Sequence, residues 1–189
     1  MSNTNQLHTK NQKRFLEILC AQISTCGGLG FGYAPGTLGS IFTTSLHYLA
    51  VKKLNPDKLS LLIADIFLIL LLFILGWISI GVYINKNKEI KDPKEVIIDE
   101  VVGQLIALAV CHTFVNILTS YSFKGKNEYL QLLLHASCFL FFRIFDILKP
   151  WPISWIDQKY TNPLGIIADD MLAGVVAGLA CVCLMFLAL

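Results

Sequence analysis

Five carboxylates stand in strongly apolar surroundings in this sequence: Asp99 and Glu100 as one adjacent pair, Asp169 and Asp170 as a second, and Asp146 three residues after Arg143. A carboxylate at the middle of a membrane costs roughly 2.5 to 3.5 kcal/mol, and less near an interface, so acids in such places are functional by default. Neighbouring residues on a helix are about 100° apart, so one member of each pair can point inward while the other reaches a second ligand or a water. An all-oxygen set suits a hard cation, and magnesium typically keeps several waters beside one or two carboxylates. Asp99, Glu100, Asp169 and Asp170 are therefore candidate Mg2+ ligands. The plainer alternative for one such pair is a helix N-terminus, where the backbone dipole favours negative charge. Two pairs plus Asp146 outweigh it.

The stretch FFRIFDILKPWPISWIDQ adds positive charge. On one helix Arg143, Asp146 and Lys149 recur every three residues and share a face. Arginine offers a planar fork and lysine a point charge to phosphate oxygens, with Asp146 beside them as a further metal ligand or as the base on an attacking water. The competing reading is an internal Arg143–Asp146 ion pair with Lys149 snorkelling to the headgroups. Pro150 and Pro152 end the helix, and Trp151 and Trp155 suit an interfacial aromatic belt. Upstream, GGLGFGYAPGTLGS places Thr37 and Ser40 as candidate phosphate contacts at a glycine-rich helix start, although Gly28 and Gly32 serve close helix packing equally well. It is not a Walker loop, because no Gly-Lys-Ser/Thr follows. A cysteine nucleophile is disfavoured, since Cys138 and Arg143 have four residues between them within a helix. His112 and His135 stand isolated in apolar helices, where core or helix-contact roles suit them. The six cysteines lack the paired spacing of a zinc site or a disulfide framework and read as small apolar side chains in a reducing setting.

The elements that must position these groups are membrane helices. Of the 189 residues only 15% are charged, and the mean hydropathy is +0.64, too little polar surface for a soluble enzyme of this size. A net charge of +2 leaves no basic excess for a nucleic-acid backbone. Crossing a bilayer takes about 20 apolar residues. Residues 59–84, 96–118, 129–148 and 164–189 approach that length, and 36–51 is the weakest, read as a short, tilted or partly re-entrant helix. The expected architecture is all-α, a polytopic bundle of four or five membrane segments. Residues 1–14 form a mobile polar tail, with no removable signal peptide, and 15–189 a single membrane-embedded domain. With five crossings, nine basic residues fall on the N-terminal side and five on the other, which favours a cytoplasmic N-terminus. The glycine-rich stretch, Asp99 with Glu100, Arg143 with Asp146, Lys149, and Asp169 with Asp170 then lie at cytoplasmic helix ends, where distant parts of the chain would converge.

GFGYAPGTLGS, the IIDE of residues 97–100 followed by Gly103, FRIFDILKPWPISWIDQ, and GIIADDMLAG of residues 165–174 together resemble the phosphatidylglycerophosphatase A family of bacterial membrane lipid phosphatases. The four blocks occur in order, and the last three are specific as a set. The resemblance implies magnesium-dependent hydrolysis of phosphatidylglycerophosphate to phosphatidylglycerol and phosphate, on the way to cardiolipin, in the bacterial inner membrane with the site on the cytoplasmic side. Its acidic positions fall on Asp99, Glu100, Asp146, Asp169 and Asp170, and its basic positions on Arg143 and Lys149. Whether water or an aspartate attacks phosphorus stays open, as does the oligomeric state.

A divalent-cation channel or transporter built on the same carboxylates is the main alternative. Against it, the acids cluster at one end of their segments and Arg143 and Lys149 would repel a cation. A transferase of the CDP-alcohol type would need a longer run of spaced aspartates, which is absent. The topology is testable by labelling: single cysteines at Asn87 and Asn162 should react from the cytoplasmic face and one at Asn127 from the opposite face. Labelling of Asn87 and Asn162 from different faces would separate the two acidic pairs.

Overall fold

The computed structural model describes residues 2–86, 93–118 and 128–188; Asn87 and Asn127 lie outside them. All regular structure among these residues is helical: α1 (Ser2–Ser24), a 3-10 turn (Leu29–Phe31), α2 (Pro35–Leu54), α3 (Lys58–Lys86), α4 (Ile98–Leu118), α5 (Glu128–Leu148), α6 (Ile153–Lys159) and α7 (Pro163–Ala188). Four of them, α3, α4, α5 and α7, are long and apolar enough to cross a membrane.

The bundle is arranged around α4, which packs on α2, α3, α5 and α7. Its Val102, Ala107, Leu108 and Cys111 are fully buried. The opposite case is α3, an apolar helix whose Ile63, Ile66, Phe67, Leu70, Ile74 and Ile78 remain exposed. A helix that is apolar all round and still uncovered has lipid as its solvent. Helix α2 is less apolar and is not one of those four, yet it is continuous over 20 residues and shows no re-entrant break. Ser40, Thr43 and Thr44 donate their hydroxyls to the carbonyls of Gly36, Gly39 and Ser40, so these three hydroxyls are satisfied within the helix itself.

The N-terminal stretch differs from the expected tail. It is helical from Ser2, and residue 14 is no element boundary, because neither glycine nor proline interrupts the chain before Gly27. Helix α1 packs on α3, with Glu17 paired to Lys86 at 3.6 Å, and its end is tied to the start of α4 by Ile97 N–H donating to Ser24 O at 2.9 Å.

The most intimate helix pair is α4 with α7, and glycines make it so. A Cβ added at Gly103 would stand 2.6 Å from Asp170 O, and one at Gly174 would collide with Gly103 O. Backbones that approach this closely gain dispersion contact along their whole length, the main source of helix association in lipid. They also fix Asp99 and Glu100 on α4 against Asp169 and Asp170 on α7.

Gly174→Ala should lower the melting temperature in detergent. The clash is with backbone that has nowhere to move, at a cost of about 1 to 3 kcal/mol, more than the helix-propensity gain of up to about 1 kcal/mol. Gly81→Ala is the control: its Cβ would meet only Pro163 Cγ at 3.7 Å, so stability should hold or rise. Equal melting temperatures in the two variants would show that the α4–α7 seam yields.

Candidate active site

Helices α2, α4 and α7 begin, and α5 ends, around one cavity of about 360 Å³. Its wall includes Thr37, Asp99, Glu100, Arg143, Asp146, Lys149, Asp169 and Asp170, so seven charged positions from three helices and a connector, singled out by type and spacing, meet in one place. Three helix N-termini point their positive dipole ends at this cavity, which favours the carboxylates and any bound anion alike.

The acids divide differently from the expected two pairs. Asp99, Glu100 and Asp170 each bring a carboxylate oxygen within 4.8 Å of the others. Asp99 and Asp170 are buried, and Glu100 Oε2 is buried with no hydrogen-bond donor. Like charges this close out of water need a cation or protons among them. Hard carboxylate oxygens in the wall of a cavity fit magnesium. Asp169 leaves this group: its Oδ2 accepts a hydrogen bond from Lys149 Nζ at 2.6 Å.

Lys149 departs from expectation for the same reason. Helix α5 stops at Leu148, and Lys149 follows with φ +41 in the left-handed region, ahead of Pro150, which cannot continue the helix. Its side chain therefore leaves the face of Arg143 and Asp146 and reaches Asp157 of α6, also at 2.6 Å, as well as Asp169. Burial pulls its pKa down, but the bonds and charges of the two carboxylates outweigh this and hold it above the ordinary lysine value. The ammonium is a charged strut joining α6 to α7.

Arg143 and Asp146 stay on one face and pair through Nη1 and Oδ2, the competing reading of that spacing, while both remain in the cavity wall. The pair does not exhaust the guanidinium, for Arg143 Nε is buried without an acceptor. Gly36 makes room for it: a Cβ there would run into Glu100 Oε1 and come within 3.0 Å of Arg143 Nη1. The glycine-rich segment thus contributes one close approach and Thr37. Ser40 does not line the cavity; it is fully buried, with its hydroxyl given to Gly36 O.

Asp157, Tyr160, Thr161 and Lys94, which helical spacing does not mark, also line the cavity. Asp157 lies in the WIDQ end of the FRIFDILKPWPISWIDQ block, and its pairing with Lys149 crosses the break between α5 and α6, where no helical spacing marks it. A larger omission lies deeper in the bundle. His112 and His135 are not isolated: with His47 they form a buried cluster in which each ring centroid is 5.0 to 5.3 Å from the other two, and Asp65 joins through His47. Cys111, Cys138 and Cys181 gather next to it in the core. The residues come from different helices, so no sequence spacing announces them.

The phosphatidylglycerophosphatase A family model matches residues 22–185. Among curated relatives, phosphatidylglycerophosphatase A of Escherichia coli is 31% identical over 157 residues, covering 79% of this chain and 75% of the relative. That of Haemophilus influenzae is 37% identical, covering 79% and 80%. A Bacteroides thetaiotaomicron protein provisionally named phosphatidylinositol-3-phosphatase is 30% identical, covering 85% and 88%. No solved structure matches. The matched region contains every residue that lines the cavity, and the chain belongs to the phosphatidylglycerophosphatase A family of enzymes.

Proposed function

We propose that this chain hydrolyses the phosphate monoester of phosphatidylglycerophosphate with Mg2+, at the cytoplasmic face of a bacterial inner membrane. The observation that carries this reading is the cavity in which a buried carboxylate trio, Asp99, Glu100 and Asp170, stands beside an arginine with an unsatisfied donor. A cation channel would not place Arg143 there.

The three carboxylates would hold the ion, and magnesium when bound supplies neutralisation of charge on the phosphoryl oxygens. Arg143 binds a phosphoryl oxygen through the part of its fork that Asp146 leaves free, and Asp146 keeps that fork in the cavity. The Thr37 hydroxyl and the N-terminal amides of α2 face the same space and offer further donors to the phosphate. Lys149, with Asp157 and Asp169, fixes α6 and α7 as a rigid floor. Water attacks phosphorus, the bond to the glycerol oxygen breaks, and inorganic phosphate and the lipid alcohol leave. Such transfers pass through a loose transition state that asks for positioning and charge stabilisation above all.

Phosphate release by the purified chain in mixed micelles, with magnesium and then with chelator, tests the reading. Release from phosphatidylglycerophosphate that stops on chelation is expected. The third relative's name makes phosphatidylinositol 3-phosphate the comparison lipid, and turnover of that lipid alone would reassign the substrate.

Asp99→Asn and Asp170→Asn should each lower turnover at least about 100-fold at saturating magnesium, equivalent to about 2.7 kcal/mol. The amide keeps the shape and removes the charge. Normal turnover in either would take that residue out of the metal group.

Arg143→Lys keeps the charge and loses the fork, so kcat/KM should fall at least about tenfold, or about 1.4 kcal/mol. Ser40→Ala should stay within about twofold, because its hydroxyl serves only its own helix. An unaffected lysine variant would reduce Arg143 to a partner of Asp146.

A further inference from the structure

The buried histidine cluster has a hydrogen-bond arithmetic of its own. His135 Nδ1 lies 2.7 Å from Gln131 O. A carbonyl only accepts, so this nitrogen carries a proton, and in a neutral ring Nε2 then presents a lone pair. His47 Nε2 lies 3.2 Å from Asp65 Oδ1. With the carboxylate ionised, that nitrogen carries the proton and His47 Nδ1 presents a lone pair. The two lone-pair nitrogens, His47 Nδ1 and His135 Nε2, face each other at 3.1 Å. Something positive belongs between them. The third ring, His112, has its centroid 5.0 Å from both, and one nitrogen from each ring lies within 4.8 Å of the other two. A proton bridges two imidazoles; a metal ion joins three.

We infer that His47, His112 and His135 form a transition-metal site of the Zn2+ class, set in the bundle interior apart from the carboxylate trio. Ligand chemistry separates the two centres, for imidazole nitrogen suits zinc and its neighbours whereas magnesium takes oxygen. Bonds of about 2.0 to 2.1 Å to imidazole in a tetrahedral site put ligand nitrogens about 3.4 Å apart, close to the spacing of the facing pair. The outer shell is already in place. His47 hands its far N–H to a carboxylate and His135 to a backbone carbonyl, the arrangement that orients metal-bound imidazoles and raises their basicity. The three rings come from α2, α4 and α5, and Asp65 from α3, so the ion would clamp four helices. A second cavity, of about 240 Å³, has Asp65 and His112 in its wall together with Lys58 and Asn116, from the start of α3 and the last turn of α4. Two of the three neighbouring thiols are engaged elsewhere: Cys138 and Cys181 donate to Ala107 O and Leu134 O.

The test uses tag-free, full-length protein in detergent with magnesium in excess, titrated with Co2+ and read by its visible d–d absorption. One Co2+ per chain with a tetrahedral spectrum, displaced by Zn2+, is expected, together with a rise in melting temperature on Zn2+ loading. The double variant His112→Gln/His135→Gln should lose the band, Asp65→Asn should weaken binding about 10- to 100-fold, and Asp170→Asn should keep it. An intense near-ultraviolet thiolate-to-cobalt band would assign the ion to Cys111, Cys138 and Cys181 and overturn the histidine site, so the wild-type titration decides even if the double variant fails to fold. No stoichiometric Co2+ in the wild type, or an octahedral spectrum that disappears in Asp170→Asn, would overturn the site. Both outcomes are independent of phosphate release.

Discussion

Three carboxylates packed together at one end of an apolar bundle set the terms for everything around them. At the 4.8 Å limit of their separation, each ionised pair repels by about 3.5 kcal/mol at an effective dielectric of about 20. Water cannot dilute that repulsion where Asp99 and Asp170 are buried. The chain answers it with three helix N-termini, with the Arg143 guanidinium, and with a set of oxygens that a divalent ion would satisfy. The seam through Gly103 and Gly174 keeps the acids from relaxing apart, because α4 and α7 cannot separate without losing their closest contact. What would be a defect in an inert membrane protein becomes a charged receptacle. The same excess of negative charge explains why Asp169 is diverted to Lys149, leaving a trio and not a quartet.

Much of this was legible in the sequence. The segments at 59–84, 96–118, 129–148 and 164–189 match α3, α4, α5 and α7 to within a few residues, since a helix that is apolar for 20 residues has few other options. The convergence of acids and bases on one end followed from alternating crossings. The division of labour among them did not. Arg143 and Asp146 obey helix spacing, but Lys149 lies one residue past the helix end, where a left-handed turn redirects it; periodicity arguments fail at such ends. Asp157 was overlooked because its partner is chosen by that turn. Ser40 was credited with a role its position in the first turns of α2 suggested, whereas a hydroxyl inside a helix finds the carbonyl four residues back first.

The histidines show a different kind of illegibility. His47, His112 and His135 are each separated by more than 20 residues, on α2, α4 and α5, so no helical spacing links one to another. Only the packing of those helices puts the rings in contact. The site lies twelve residues along α4 from Glu100, about 18 Å at the helical rise, so the bundle carries two polar centres of unlike chemistry at different depths.

Trp151 and Trp155 stay exposed at the α6 end, and Lys159 stands over the Trp155 ring at 4.5 Å. Indole rings and a snorkelling lysine prefer the headgroup layer, so α6 acts as a float line that sets the height of the adjoining cavity. A cavity held at that level collects its substrate from a plane. On the reading proposed above, encounter is two-dimensional: the quantity that saturates the enzyme is the mole fraction of phosphorylated lipid in the surrounding leaflet, and diluting the membrane with inert lipid slows it while diluting the suspension with buffer does not.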